Sequence, residues 1–175
     1  MSALSAQHVW GYRALFVVLC LALMTLKLLP LNLGGARLPG PDLLVAFAFT
    51  WIVRQPAIVP LGVLLGIFLL ADFLFHRPPG LWTLLVILAS ESLRRRRLTM
   101  TEFPFLVEWG AATMAIMGMV LLNQMAMWVL LADTDPLGFT LVHGIVTAAV
   151  YPAVVVASKF VFRLRKLGPA ELESL

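Results

Sequence analysis

Asp72, His76 and Arg77 fall close together in the stretch LLADFLFHRPPGLW, residues 69–82, whose first half is otherwise apolar. Four residues separate Asp72 from His76, so on a helix the two side chains share a face, one turn apart. A carboxylate and an imidazole at that spacing have the chemistry of a proton relay, an ion site or a structural ion pair. Inside a membrane segment such groups are read first as functional. Which chemistry applies depends on how deep they lie, and hence on the elements that carry them.

Those elements are apolar. Hydrophobic residues make up 61% of the 175-residue chain and charged residues 13%, with a mean hydropathy of +0.96. A soluble domain carries about 25% charge, so roughly half the usual complement is missing. Apolar runs recur from end to end and leave no separate water-soluble module. The chain therefore reads as one polytopic membrane domain, residues 1–175, of the all-α class. Its single cysteine, Cys20, allows no intrachain disulfide and no multi-cysteine metal site.

Hydropathy and helix-stopping sequences place six spans, at about 12–31, 42–54, 57–75, 80–97, 104–131 and 138–162, the second and fourth of them short. The first is longer than a leader core and reads as a retained span rather than a cleaved signal. With the N-terminus inside, the inner face receives Arg13, Arg54, Arg94, Arg95, Arg96, Arg97, Lys159, Arg163, Arg165 and Lys166. The outer face receives Lys27, Arg37 and Arg77. That asymmetry follows the positive-inside rule and puts both termini in the cytoplasm. Treating both short segments as re-entrant gives a four-span alternative with the same tally. Snorkelling arginines favour six.

On this layout Asp72 lies about one turn from the outer end of its span, with Asp42 and Lys27 at the same face. Lys27, Asp42, Asp72, His76 and Arg77, with Arg37, form a candidate outward-facing polar cluster or partner-docking site, in which Lys27 or Arg77 is the counter-charge of Asp72. Glu91 precedes Arg94 and Arg95 by three and four residues, and Glu108 begins the fifth span near the same arginines, so both glutamates are expected to be neutralised there. His143 reads as a hydrogen-bonded packing residue, and Asn123 and Gln124 as interhelical bonding groups. No carboxylate or histidine falls clearly at mid-bilayer, which leaves a proton relay without support. No nucleophile with a matched base, phosphate-binding glycine loop or metal-ligand spacing is present, so neither enzymatic activity nor a cofactor is expected.

Small residues mark candidate helix-packing faces: Gly62 and Gly66 in GVLLG, Ala111, Ala115 and Gly118 in the fifth span, and Ala149, Ala153 and Ala157 in the last. Met114, Met117, Met119, Met125 and Met127 read as core or lipid packing, with a partner-facing seam as the sharper alternative. The run Arg94, Arg95, Arg96 and Arg97 is explained by orientation and contact with anionic lipid. Nucleic-acid binding is not expected.

The stretch PDLLVAFAFTWIVRQP, followed by GVLLGIFLLADFLFHRPPGLWTLLVILASESLRRR, resembles MreD, the rod shape-determining membrane protein family of bacteria. The likeness extends over essentially the whole chain in length and span layout. It is most specific from Gly62 through Trp82: a glycine-spaced helix, an aspartate near its end, then a Pro-Gly turn. Family members commonly read Pro-Leu-Gly there, whereas this chain has Pro78, Pro79 and Gly80. The resemblance implies a non-enzymatic inner-membrane component of the cell-elongation machinery. Its implied partners are the bitopic scaffold MreC, the glycosyltransferase RodA, a class B penicillin-binding protein and MreB filaments. The six-span layout also resembles the substrate-binding component of energy-coupling-factor vitamin transporters, a fold to which MreD is thought similar, and a small-molecule uptake role is the alternative. Those components commonly carry Ala-x-x-x-Ala in the first span. Here that span has Ala14 and Ala22 and no such pair.

Overall fold

The computed structural model describes residues 3–29, 40–56, 58–102, 105–131 and 136–162. These form six helices and, among the described residues, no strand: α1 (Ala3–Leu28), α2 (Leu43–Arg54), α3 (Leu61–Leu74), α4 (Leu81–Glu102), α5 (Phe105–Val129) and α6 (Leu137–Phe162). Arg37, the acidic loop 133–135 and the basic tail beyond residue 162 lie outside the described residues, as does the side chain of Arg97.

Three helices, α1, α5 and α6, are long and apolar enough to cross a membrane. The other apolar helices are shorter. The 12 residues of α2 and 14 of α3 reach about 18 and 21 Å, against a hydrocarbon core of about 30 Å. The first helix begins at Ala3, nine residues before the expected start of its span, and two other boundaries differ for local reasons. The third helix begins at Leu61 rather than at 57, because Pro60, with φ −67° and ψ 153°, stands in extended geometry and starts it. The fourth runs on to Glu102, through the arginines, because Arg and Glu are good helix formers even where they end an apolar window.

Helix α2 is the central post. Every residue from Leu44 to Arg54 is buried, and the helix packs against α1, α4 and α6. A helix apolar on all sides is at home either in a protein core or in lipid, and the packing around α2 makes it the former. Phe47 of α2 stacks on Phe16 of α1 at a ring centroid distance of 5.6 Å, and Trp51 packs at a tilt against both rings, 5.4 Å from Phe16 and 5.2 Å from Phe47. Protein, rather than lipid, surrounds this short helix.

The outer helices present stripes to that post. On α3 the buried residues are Leu64, Ile67, Phe68, Ala71 and Asp72, a 3.6-residue repeat. Gly62 and Gly66 fall on the opposite, exposed face, and a Cβ added at either would meet nothing within 4 Å. The GVLLG pair is therefore not a packing face within this chain. Gly118 is likewise open, while Ala111 and Ala115 are partly buried against the core. The close α5–α6 approach is at Gly144, where an added Cβ would lie 2.8 Å from Met117 Sδ. The buried row of α6 continues through Ala148, Tyr151 and Val155, so Ala149, Ala153 and Ala157 face outward instead. Of the methionines, Met119 is in the core, while Met114 and Met125 are exposed.

Candidate functional site

Polar groups concentrate at the two ends of the bundle. At one end meet the C-terminal end of α1, the start of α2, the α3–α4 turn and the facing ends of α5 and α6. Asp42 is the hub. It precedes α2 as its N-cap, and its Oδ1 accepts from the Val45 N–H at 3.4 Å. A carboxylate there suits the positive end of the helix dipole. Lys27 Nζ donates to Asp42 Oδ2 at 3.2 Å, and Arg77 Nη2 stands 3.7 Å from the same oxygen. The Asp42 N–H donates to Thr147 Oγ1 at 2.9 Å, and the Thr147 hydroxyl donates to the His143 carbonyl. Asp42 is buried, whereas the side chains of Lys27 and Arg77 are 33% and 29% exposed. Both cations also lie over aromatic rings, Lys27 over Phe75 at 4.7 Å and Arg77 over Trp82 at 4.9 Å.

Asp72 belongs to the same end but to a different set of bonds. Its Oδ2 accepts from the Gly80 N–H at 3.0 Å, the Thr83 N–H at 3.3 Å and the Thr83 hydroxyl at 2.7 Å. Gly80 has no side chain with which to cap α4, and Asp72 supplies the missing acceptor from the preceding helix. The expected counter-charge is thus corrected: Lys27 and Arg77 pair with Asp42, and fixed donors at the start of α4 satisfy Asp72 Oδ2. The backbone of Asp72 is engaged as well. Its carbonyl accepts the Arg77 N–H at 3.0 Å while His76 N–H reaches Phe73 O at 3.4 Å, the paired bonds of a Schellman ending. His76 occupies the left-handed position, φ 53°, and Gly80 has φ +90°. His76 is exposed and shapes the chain reversal. DFLFHRPPGLWT is a clasp joining two helices.

Sequence reasoning missed the site at the other end. Arg54, the last residue of α2, and Glu108, in the first turn of α5, are both buried and lie 3.2 Å apart. The Tyr151 hydroxyl donates to Glu108 Oε1 at 3.3 Å. Glu108 is therefore paired with Arg54, a partner from α2 that the sequence reading does not single out. Glu91 pairs with Arg95 at 3.2 Å on the exposed face of α4, whereas Arg94 reaches the Pro56 and Val59 carbonyls of the α2–α3 link. The signal was available: an arginine ending one apolar run and a glutamate opening another at matching depth. Arg96 is exposed.

Beside the Asp42 cluster an open cavity of about 290 Å³ lies between the α3–α4 turn and the facing ends of α5 and α6. Its polar lining is Arg77, Asn123, Gln124, Thr140 and His143. Thr140 donates to Gln124 Oε1 at 3.1 Å, and His143 Nδ1 lies 2.8 Å from the Gly40 carbonyl, tying α6 to the start of α2. Among the described residues no group of three or more His, Cys, Asp or Glu is placed to hold a metal ion. Comparison with protein-family models, curated proteins and solved structures finds no match to this chain.

Proposed function

We propose that this chain is a non-enzymatic, MreD-like component of the bacterial cell-elongation machinery. It sits in the inner membrane with six spans and cytoplasmic termini, and it binds an MreC-like bitopic protein within a complex containing RodA, a class B penicillin-binding protein and MreB filaments. The reading rests on the resemblance over Gly62 to Trp82. One observation carries it further: the aspartate of that stretch is fully buried and its Oδ2 accepts from Gly80 and Thr83. The most specific part of the resemblance is then a device that sets the angle between two helices. Such a device serves a protein whose shape is what its partners recognise.

Short helices fit the six-span reading because α2 is surrounded by protein and needs no lipid match of its own. In this topology the Asp42–Asp72 end faces the periplasm and the Arg54–Glu108 end the cytoplasm. Depletion in the source bacterium should round or swell rod-shaped cells. Normal shape combined with lost uptake of one vitamin would reject the proposal in favour of the transporter alternative, which the cavity beside Arg77 favours.

A further inference from the structure

The cavity at the Asp42 end has its own ligand chemistry, set first by charge. No carboxylate is among its described lining residues. Immediately behind it, Asp42 faces two cations, Lys27 at 3.2 Å and Arg77 at 3.7 Å. Of these three charged groups only Arg77 lines the cavity, so the charge presented at its wall is a cation. The other nearby acid, Asp72, directs Oδ2 into the start of α4.

Hydrogen-bonding capacity is the second constraint. The 3.7 Å separation of Arg77 from Asp42 is beyond hydrogen-bond reach. Among the described residues, the Arg77 guanidinium donates to no protein acceptor, and it is held in place by stacking on Trp82. The Asn123 amide across the cavity also bonds to no described residue. A planar, pre-positioned guanidinium with open donors matches phosphate oxygens in pairs.

Size and surroundings are the third. A volume of about 290 Å³ is at the bottom of the range of roughly 300–1,000 Å³ for small-molecule sites. It takes a fragment the size of a headgroup. Val120, Met127 and Phe139 form an apolar side of the cavity, and Trp128, Leu130 and Leu137 expose apolar surface around these helix ends. We propose that the cavity binds the phosphate of an anionic phospholipid headgroup. Arg77 and Asn123 hold the phosphate, and the acyl chains leave past Met127 and Phe139.

The test is thermal unfolding of the purified full-length protein in detergent, titrated with dihexanoyl phosphatidylglycerol. Dihexanoylglycerol, which lacks the phosphate, and inorganic phosphate, which lacks the chains, are the comparison probes. Saturable stabilisation by phosphatidylglycerol is expected, with both comparison probes weaker by about tenfold or more, the loss expected for a charge-assisted hydrogen bond or a few buried methylenes. Arg77→Gln should remove the preference for phosphate. Met127→Trp fills the cavity while keeping the cation, and should abolish saturation even if Arg77→Gln does not fold. Equal stabilisation by dihexanoylglycerol, or wild-type affinity in Met127→Trp, would overturn the proposal. Inorganic phosphate binding as tightly as the lipid would overturn the lipid assignment and leave a site for a free anion.

Discussion

Arg54 and Glu108 lie 3.2 Å apart, both removed from solvent, joining the end of the central helix α2 to the start of α5. Each charge is favourable for its own helix, a cation at a C-terminus and an anion at an N-terminus. Asp42 performs the matching service at the other end of α2. The short central helix is therefore fastened at both ends by charges contributed to other helices.

Removing one partner of that buried pair should cost far more than removing both. Arg54→Met or Glu108→Met alone breaks the buried pair from one side, a loss of about 3–5 kcal/mol. Arg54→Met combined with Glu108→Met should recover much of it. Thermal unfolding of the four proteins in one detergent checks this through the coupling of the double-mutant cycle. Strict additivity would show that the pair is not coupled.

Asp72→Ala should destabilise by about 1–3 kcal/mol through the loss of the acceptor for Gly80 and Thr83. Asp72→Asn should cost less, because an amide oxygen still accepts those bonds. Arg77→Gln should not offset either change, since Arg77 pairs with Asp42. Rescue of Asp72→Asn by Arg77→Gln would restore the Asp72–Arg77 pairing expected from sequence and break the clasp assignment.

Gly144 and Gly66 should respond oppositely to a large side chain. Gly144→Leu drives atoms into Met117 and should cost about 1–3 kcal/mol or more, as overpacking does. Gly66→Leu projects into open space and should leave the melting temperature of the isolated protein nearly unchanged. Equal losses at both positions would contradict the observed face of α3.

Sidedness is read by cysteine accessibility. In a Cys20→Ala background, cysteine at position 77 should react in intact spheroplasts with a membrane-impermeant thiol reagent. Cysteine at position 96 should react only after the membrane is opened. Protection of position 77 until opening would favour the four-span arrangement.

Helix content and the break residues between helices are legible in the sequence because apolar runs and Pro-Gly punctuation are strong local signals. Which face of each helix turns inward is not. In a membrane protein the lipid side is as apolar as the core, so α3, α5 and α6 carry little amphipathic asymmetry to read. That is why Gly62 and Gly66 read as a packing face, and why the buried row of α6 passes through Ala148 rather than Ala149. Partner choice is also non-local. Lys27, Asp42 and Arg77 share an end because their helix termini alternate, which span order conveys. The same alternation brings Arg54 and Glu108 to the other end, but their pairing there depends on α5 lying beside the foot of α2, which no spacing in the chain encodes.

The shape-machinery reading is tested most directly by purifying the protein from its own membranes in mild detergent and identifying what accompanies it. The account predicts stoichiometric recovery of an MreC-like bitopic protein, with RodA or a class B penicillin-binding protein in lower amount. Recovery of a transporter energising module, with no MreC-like protein, would contradict it.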